Sequence, residues 1–489
     1  MTAWNPGASA RRTLSGAVVL CSLLIAAGAA NSGVNGSSCP INAIAIEPGA
    51  LTQATVDLAG DGAAFCLKNG IHRAQAVRPR PKQRFYGEGQ TVLNGSRLLT
   101  GFRREEGYWA VSSQLQRRPK HGECLPSAPT CNQPEALFID DRPLIKVSSK
   151  GALANDKFYI DYAGGKIYLV DDPTNRKIEV TVVSFAFKSA AFDVSISNIT
   201  VEKFASAAQT GAIHAIEGAR WSMENCEARL NSGVGISVGT GSRVRNCDVH
   251  NNGQLGIGGN GNDIHIEGNR IWSNNIYGFD PGWEAGGVKI AESDGVTFRG
   301  NHVYDNKGVG LWCDGDCRNV VYEGNLVENN QWNGIFHEIS FNAIVRNNVL
   351  RHNNRGDRGW FWGAEILLAA SQDVEVSGNT LVIAPGTCGI MLLDQGRDDN
   401  GRKYKTRNNT IHGNEMTFEG AACAGGVSDT KPDDENFAII TDGNNRFDGD
   451  VYRIARQSEP ARFVWGHTVT DWDGFRSRGL EKNGHLVPY

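Results

Sequence analysis

The chain of 489 residues contains little methionine and carries little net charge. Its 4 methionines stand against 59 glycines, a balance more typical of a turn-rich β protein than of a helical one. The formal net charge is −4, so bulk charge gives no indication of a nucleic acid or an anionic membrane surface as a partner. A phosphate-binding glycine loop, a Ser-His-Asp arrangement and an HExxH motif are also missing, which disfavours the corresponding nucleotide, serine-hydrolase and zinc-protease chemistry.

The chain has a single short apolar run, which lies near its N-terminus, and no long apolar run follows it. Arg11 and Arg12 precede the apolar residues 14–27, and the small residues 27–29 offer a cleavage site. The run is too short for a membrane-spanning helix. We therefore expect a signal peptide over residues 1–30 and a secreted monomer, extracellular or periplasmic, without membrane or nucleic-acid partners.

The cysteine count is consistent with export into an oxidising compartment. Loss of Cys21 with the signal peptide leaves ten of the 11 cysteines, an even number that suits disulfide pairing. Close spacing predicts that Cys124 pairs with Cys131 and that Cys313 pairs with Cys317. No second thiol pair lies near the Cys-x3-Cys motif in the sequence, so we do not expect zinc there.

The other four cysteines of the repeat region leave more than one arrangement open. A disulfide between Cys388 and Cys423 is compatible with their positions. Cys226 and Cys247 occupy equivalent places in neighbouring repeats, which brings their Cα atoms within disulfide range. A disulfide and a reduced pair of inward thiols are therefore both open for them.

An asparagine-rich repeat dominates the second half of the chain. An asparagine that usually follows Gly or Asn begins a short β-like run at Asn225, Asn246, Asn269, Asn301, Asn325, Asn348, Asn379 and Asn409. The intervals are 21 to 24 or 30 to 32 residues, which indicates one type of coil with loops inserted into some copies. This period predicts an all-β, right-handed parallel β-helix in which equivalent strands stack about 4.8 Å apart. Asparagines in line at one turn would form a hydrogen-bonded ladder.

The regions outside the repeats differ in pattern. Residues 31–190 are interpreted as N-terminal coils with a small β insertion, because residues 157–183 contain two hairpin strands and a return strand. Residues 191–425 form the predicted β-helix repeats. Residues 426–489 form a C-terminal coil and helical cap, since an uncapped solenoid end would expose a sheet edge.

The last strand of each coil predicts which side chains face outward. Aligned on a glycine, these strands read GISVG, GVKIAE, GLWCDG, GIFHEI, GAEILL and GIMLLD. Their second and fourth positions are mostly apolar and point inward, whereas the third and fifth point outward. The outward residues whose side chains could bind a ligand or take part in catalysis are Lys289, Trp312, Phe336, Glu365, Asp314 and Glu338. His337 falls in an inward column, where a core histidine is favoured and a functional role stays open.

Two inserted loops add aromatic and acidic residues to the same edge. The segments GFDPGWEAGG and RGDRGWFWG lie just before the strands GVKIAE and GAEILL. Together with the acid that ends GIMLLD, they contribute Trp283, Glu284, Trp360, Trp362 and Asp394. Insertions along one edge of a solenoid tend to wall a groove.

Aromatic walls around central acids are typical of a binding site for a sugar polymer. Pyranose faces are apolar and stack on indole, while the hydroxyls bond to polar side chains. The predicted catalytic residues are Asp314, Glu338, Glu365 and Lys289. The predicted substrate contacts are Trp283, Glu284, Trp312, Phe336, Trp360, Trp362 and Asp394. In the alternative interpretation, Trp312 and Phe336 pack beneath an inserted loop and the acids are merely solvated.

The spacing of the acids bears on mechanism. Asp314 and Glu338 share a column on adjacent coils, so their backbones lie about 4.8 Å apart. Two carboxylates this close suit a retaining pair, an acid with a raised pKa, or Ca²⁺ held by both residues. Glu338 and Glu365 lie about 8 Å apart in this register, as in an inverting pair. Apart from Ca²⁺, no cofactor is expected.

The segments described above resemble the secreted right-handed β-helix repeat proteins of the pectate-lyase-like superfamily. The most specific parts are GFDPGWEAGGVKI, GLWCDGDCRNVVYEGNLVENN and GIFHEIS. The resemblance implies a groove on one parallel sheet and an activity among polysaccharide lyases, glycoside hydrolases and epimerases. Residues 277–281 also resemble the YGFDPHE motif of mannuronan C5-epimerases, but Gly282 and Trp283 stand where that motif has its histidine.

The residues favour hydrolysis of a polysaccharide over the other chemistries. A lyase acting on a uronic polymer needs a base, for which Lys289 is available, and cations that neutralise the substrate carboxylate. Few arginines accompany the outward columns, and Arg355 and Arg358 in the neighbouring loop supply this charge only in part. We therefore expect a glycoside hydrolase. A lyase or epimerase and a non-catalytic glycan-binding or surface scaffold protein are the alternatives.

Overall fold

The computed structural model describes residues 39–50, 52–112, 119–356, 358–399, 401–455 and 462–489. The predicted signal peptide, residues 1–30, lies outside these described residues together with Cys21. Within the described ranges, no helix is both long enough and apolar enough to cross a membrane.

The described residues form a three-sided solenoid. Each coil contributes one strand to each of three parallel sheets, and each strand pairs with the equivalent strand of the next coil. The interior side chains form one continuous hydrophobic core along the solenoid. This architecture confirms the predicted all-β parallel β-helix with a β insertion near its N-terminus and a cap at its C-terminus.

The strand bounds show the regularity of the coils. The strands of the first sheet are Ile44–Ile46, Ala64–Leu67, Arg84–Gly87, Ser195–Ser197, Ser222–Glu224, Arg243–Arg245, Ile264–Glu267, Val296–Arg299, Val320–Glu323, Phe341–Arg346, Gln372–Ser377, Thr410–His412 and Arg446–Asp448. Those of the second sheet are Gly70–Arg73, Thr91–Asn94, Thr200–Glu202, Glu227–Arg229, Asp248–His250, Arg270–Trp272, His302–Tyr304, Leu326–Glu328, Val349–Arg351, Thr380–Ile383, Glu415–Phe418, Val451–Ile454 and His485–Pro488. Those of the third sheet are Phe187–Lys188, Gly211–His214, Val234–Val238, Leu255–Asn260, Gly286–Ala291, Val309–Asp314, Ile335–Glu338, Ala364–Ala369, Cys388–Asp394, Cys423–Ser428, Arg462–Gly466 and the antiparallel Thr468–Thr470.

The register of the third sheet follows from its interior aliphatic column. Val288, Leu311 and Ile335 pair on successive strands, and each is at most 1% exposed. Branched side chains at stacked positions fill the interior without voids. The next coil continues this column with Ile366, not with Ala364 as the glycine alignment predicts. The predicted alignment of that strand is therefore shifted by two residues.

The shift moves Glu365 from the middle of the outward column to the start of its strand, beside the turn that holds Asn353, and its predicted outward position is wrong. Leu367 pairs with Phe336, and Glu365 takes the place that Gly334 holds one coil earlier. The Glu365 side chain is fully buried. It therefore does not join the outward acids, and it leaves the candidate active site.

An asparagine ladder runs along the turn between the first and second sheets. The backbone N–H and the side-chain amide of each asparagine donate to Oδ1 of the next, at 2.8–3.0 Å. Its members are Asn269, Asn301, Asn325, Asn348, Asn379 and Asn414. Asp450 accepts from Asn414 and ends the series. Each coil thus satisfies buried donors of the previous one.

Three of the predicted ladder positions are corrected. Asn225 and Asn246 lie one residue early, with φ of 53° and 51°, the left-handed conformation that asparagine tolerates. Cys247 takes the ladder position of its coil and receives the backbone N–H of Cys226 on its Sγ at 3.4 Å. Asn409 belongs to a different turn, where its side chain donates to Asn445.

A second ladder, which the sequence reasoning missed, lies between the second and third sheets. Its members are Asn231, Asn252, Asn274, Asn306, Asn330 and Asn353. Glu365 ends it, because Oε1 accepts from Asn353 N at 3.0 Å and Oε2 from Asn353 Nδ2 at 2.5 Å. Burial raises the pKa of Glu365 to about 8, against the opposing effect of these hydrogen bonds. The role of Glu365 is therefore to terminate the ladder.

Additional elements flank or interrupt the coils. The insertion consists of two small sheets with strands Ser96–Leu98, Leu137–Ile139, Arg142–Pro143 and Ile178–Thr181, and Arg103–Glu105, Tyr108–Ser112, Ile145–Lys146, Lys157–Asp161 and Lys166–Leu169. The remaining elements are the hairpin Asp398–Asp399 with Arg402–Lys403, the helices Thr52–Leu58, Pro281–Glu284, Ile439–Asp442 and Trp472–Ser477, and the 3-10 turn Lys150–Ala152. Phe475 of the last helix packs on Phe463 and Phe447 and closes the core of the C-terminal coil.

Four disulfides join described cysteines. The bonds Cys124–Cys131 and Cys313–Cys317 confirm the predicted pairs. Cys388–Cys423 links paired strands of the third sheet. Cys39–Cys66, which the spacing did not indicate, ties the first described residues to the first sheet. Cys226 and Cys247 are buried, reduced thiols.

Candidate active site

The outer face of the third sheet brings together most of the predicted charged residues. Lys289, Trp312 and Phe336 pair in register on three successive strands. Asp314 ends the second of these strands and Glu338 ends the third, so their backbones are neighbours about 4.8 Å apart. The structure thus places these five residues together, whereas their roles stay predictions.

Lys289 lies at the centre of an ion-pair cluster. Its Nζ lies 2.9 Å from Asp314 Oδ2 and 3.6 Å from Glu284 Oε2. The same Nζ lies 4.0 Å from the centroid of the Trp312 ring. The side chains of Lys289 and Asp314 are only 10% and 20% exposed. A partly buried ammonium at this position orients the Asp314 carboxylate and offsets its charge.

Glu338 is more deeply buried than Asp314. Burial, and then the charge of Asp314, raise the pKa of Glu338 to about 7. Arg397, Arg358 and Lys289 act against this shift, and Arg397 Nη1 lies 3.9 Å from Glu338 Oε1. Glu338 therefore holds a proton over much of the pH range up to neutrality. The two neighbouring carboxyl groups lie in different environments, as an acid and its partner carboxylate require.

Trp312 and Phe336 are buried, which corrects their predicted position as an open aromatic wall. They are 4% and 1% exposed, and their rings stack with centroids 5.4 Å apart. They pack with Leu367 and Met391 of the following coils and with the half-buried Trp362. The alternative interpretation, packing beneath an inserted loop, therefore holds for these two rings.

The inserted loop RGDRGWFWG, which covers Trp312 and Phe336, leaves one aromatic ring exposed to solvent. Trp360 is 52% exposed, whereas Trp362 is half-buried. The Arg358 guanidinium stacks between Trp332 and Trp362, at 4.3 and 4.6 Å from their centroids. Burial lowers the pKa of Arg358, while the charge of Glu338 acts in the opposite direction. Trp360 and Trp362 are the aromatic residues of the predicted set that remain available for substrate contact here.

The other loop approaches the cluster through Glu284 more than through Trp283. Trp283 is half-buried and packs on Phe279 and His121, next to the Cys124–Cys131 loop. Glu284 faces Lys289 and also accepts from Gln209 Nε2 at 2.8 Å. Trp283 therefore anchors the loop GFDPGWEAGG by packing, and Glu284 belongs to the ion-pair cluster around Lys289.

Two further candidate residues, Asp394 and His337, are buried and have structural roles. Asp394 is fully buried and accepts from Gly396 N at 3.0 Å and Thr406 N at 2.8 Å, so it holds a turn and does not face a ligand. His337 is fully buried, and its Nδ1 lies 3.4 Å from the Tyr322 hydroxyl. Burial lowers the pKa of His337 to about 3, which makes it a neutral core residue.

The residues present do not fit the Ca²⁺ predicted as one alternative for Asp314 and Glu338. Ca²⁺ takes six to eight oxygen ligands. Here the Lys289 ammonium lies against Asp314, and the Arg397 guanidinium faces Glu338. Among the described residues, no group of three or more His, Cys, Asp or Glu side chains is arranged to hold a metal.

Arg397 is the site residue that sequence reasoning missed. It lies beyond the strand that ends at Asp394, in a segment without a repeat pattern. The fold of the loop after that strand brings it next to Glu338. No spacing signal identifies such a residue, because its position depends on the loop and not on the coil.

The burial of Trp312 leads to a stability prediction. Trp312→Ala is expected to lower the free energy of unfolding by about 3 kcal/mol, because a packed ring and its cation contact are lost. The matched change at the exposed ring, Trp360→Ala, is expected to cost no more than about 0.5 kcal/mol. Urea denaturation of both variants measures the difference. Equal losses would contradict the assigned packing.

Comparisons with known proteins agree with the architecture. A family described as the right handed beta helix region matches residues 211–381. No curated protein matches the chain. The solved complex of XylC with xylose is similar over 89% of this chain and 82% of that chain, with 14% identity and a TM-score of 0.63. The A-module of the Azotobacter vinelandii mannuronan C-5 epimerase AlgE6 is similar over 89% of this chain and 94% of that chain, with 14% identity and a TM-score of 0.47.

Identities this low indicate a shared fold and not a shared substrate or activity. The family match covers the central coils, and the XylC complex extends the similarity over most of the chain. Together with the three stacked parallel sheets, these matches show that the chain is a right-handed parallel β-helix protein.

Proposed function

We propose that the chain is a secreted glycoside hydrolase that cleaves a polysaccharide on the outer face of the third sheet. The observation that carries the proposal is the pair Glu338 and Asp314 on adjacent coils. Burial and the neighbouring charge raise the pKa of Glu338 to about 7, while Asp314 pairs with Lys289. One carboxyl group can thus give a proton while the other stays a carboxylate.

The backbone spacing of the pair is compatible with the retaining mechanism. Retaining glycosidases have carboxyl groups about 5–5.5 Å apart, close to the spacing of adjacent strands. Glu338 donates its proton to the glycosidic oxygen while an Asp314 oxygen attacks the anomeric carbon and displaces the leaving sugar. Water then attacks the glycosyl ester, gives a proton to Glu338, and releases Asp314 as a carboxylate.

The remaining residues of the site orient the catalytic carboxylate, balance its charge and contact the sugar. Lys289 donates to Asp314 and holds its carboxylate in one orientation. Glu284 also pairs with Lys289, so the ammonium charge is shared between two carboxylates and stabilises the negative charge of Asp314 less strongly. Trp362, which packs on the cluster that contains Trp312 and Phe336, and the exposed Trp360 of the same loop would supply aromatic faces for a sugar ring.

Elimination from a uronic polymer is the second candidate. The observation that favours it is the set of cations around the carboxyl pair, namely Lys289, Arg358 and Arg397. They would neutralise a substrate carboxylate, as elimination beside that group requires. The ion pair of Lys289 with Asp314 makes it a weaker base candidate, so hydrolysis is favoured.

Secretion is part of the proposal. The four disulfides suit an oxidising compartment outside the cytosol. The sequence of residues 1–30 supports the same conclusion through its signal-peptide pattern.

A polysaccharide panel tests the proposed reaction. Purified protein is incubated with neutral and acidic polysaccharides, with and without a chelator. We expect new reducing ends on at least one polymer, no ultraviolet-absorbing unsaturated product, and no effect of the chelator. Unsaturated products would support elimination, and polymer binding without new ends would support a binding protein; either result would contradict hydrolysis.

A further inference from the structure

A cavity of about 500 Å³ lies between the β insertion and the solenoid, and none of Glu284, Lys289, Asp314 and Glu338 lines it. One side is formed by the loop after Cys124 and by strands of the insertion around residues 143–147 and 157–158. The other side is formed by residues 275–278, Lys307 and Gln331, which lie in the turns of three successive coils. This volume is within the range that binds small organic molecules in proteins.

The walls of the cavity are more apolar than polar. Pro129, Ile145, Val147, Phe158 and Ile276 are among the residues that line it. Tyr277 also lines it, and the Tyr277 hydroxyl is buried without a hydrogen-bond partner among the described residues. An orphaned buried hydroxyl costs free energy, and a bound molecule could satisfy it.

The charges around the cavity are mostly positive. Three lysines, Lys146, Lys157 and Lys307, and one acid, Glu135, line it. Lys146 is buried and bonds to the Tyr162 hydroxyl at 2.7 Å, with Glu135 Oε2 3.4 Å away. Neither Lys157 nor Lys307 forms an ion pair with a carboxylate of the described chain. The pair of Lys146 and Glu135 is internally balanced, so the two other lysines leave the cavity with an excess of positive charge.

A second property of Lys146 supports a ligand at this position. Burial lowers the pKa of Lys146 to about 8, although Glu135 acts in the opposite direction. A negatively charged ligand would favour the protonated form and repay part of the cost of burying the ammonium. Buried charges with perturbed pKa values in a cavity are typical of binding sites.

We propose that this cavity binds a small organic carboxylate whose apolar body fills the space between the insertion and the coils. The carboxylate would face Lys157 and Lys307 at the exposed side, and a polar group on the body would pair with the Tyr277 hydroxyl. The site is separate from the proposed catalytic pair and does not depend on the hydrolase proposal.

The experiment uses the purified protein and ligand-observed NMR. The probes are aromatic carboxylates such as 4-hydroxycinnamate, each with its matched neutral alcohol, and glucuronate as a carboxylate without an apolar body. We expect binding of aromatic carboxylates at least about tenfold tighter than of their alcohols or of glucuronate. Ser148→Trp, which places a large ring at the exposed rim of the cavity, is expected to abolish binding, and the neighbouring Ser149→Trp is expected to retain it.

The contribution of Lys157 and Lys307 to binding is tested separately. The double variant Lys157→Gln and Lys307→Gln is expected to weaken binding about tenfold, with the unfolding temperature unchanged, whereas the exposed Lys482→Gln is expected to have no effect. The proposal is overturned if no aromatic carboxylate binds, if alcohols bind equally well, or if Ser148→Trp and Ser149→Trp behave alike. Binding of the carboxylates that is indifferent to both lysines would also overturn it.

Discussion

Replacing Glu338 with glutamine is expected to lower kcat about 10³-fold on the polymer that the panel identifies, because the proton donor to the leaving oxygen is lost. The fold is expected to persist. Glutamine has nearly the same shape, and Glu338 is a partly neutral buried group whose removal relieves the repulsion from Asp314. Initial rates and urea denaturation curves, measured on the same preparation, check both expectations.

The pH dependence gives the same prediction a second readout. The pKa of Glu338 is raised to about 7, so the protonated form required for catalysis declines as the pH rises through 7. The wild-type rate is therefore expected to fall on the alkaline side of about pH 7. Glu375→Gln, an exposed acid on the first sheet, is the matched control and is expected to keep the wild-type rate and profile. If the Glu338 variant kept the wild-type rate, the acid pair would have no catalytic role.

Replacing Glu365 with alanine is expected to lower the free energy of unfolding by about 4 kcal/mol. The change leaves two buried donors of Asn353, its backbone N–H and its side-chain amide, without their acceptors. It also leaves a void at the end of the second asparagine ladder. Because Glu365 does not contact Asp314 or Glu338, the variant that remains folded is expected to keep its turnover. Loss of turnover in the folded protein would contradict the structural role.

Glutamine at the same position removes the ionisable group and keeps one of the two acceptor oxygens. Burial raises the pKa of Glu365 to about 8, above the ordinary value of 4.5, so the folded state binds the proton more tightly than the unfolded state. The stability that Glu365 contributes is complete below about pH 4.5 and is lost as the pH rises through 8. Glu365→Gln removes this dependence. Its free energy of unfolding relative to wild type is therefore expected to increase from pH 5 to pH 8.5, and a constant difference would argue against the buried acid.

The fold could be predicted because the repeat carries its own register over most coils. Strand alternation placed Val288 and Leu311 inside and Lys289 and Trp312 outside, as the pairing of the third sheet confirms. The prediction was wrong where a glycine served as the anchor after an inserted loop. Gly363 precedes Glu365, but the aliphatic column continues through Ile366, and packing of that column overrides the glycine alignment.

The site was only partly predictable for physical reasons that differ from residue to residue. Asp314 and Glu338 follow from strand alternation alone. The burial of Trp312 depends on the loop that covers it, which a strand pattern does not describe. Arg397 reaches Glu338 from a loop without a repeat, so its role depends on tertiary structure.

A crystal structure of Glu338→Gln with a bound oligosaccharide of the substrate polymer tests the central claim most directly. The account predicts sugar density across the outer face of the third sheet, with a glycosidic oxygen within about 3 Å of the side chain at position 338. It also predicts that the anomeric carbon on that bond faces Asp314. An oligosaccharide bound on the first or second sheet, with residues 314 and 338 out of reach, would contradict the account.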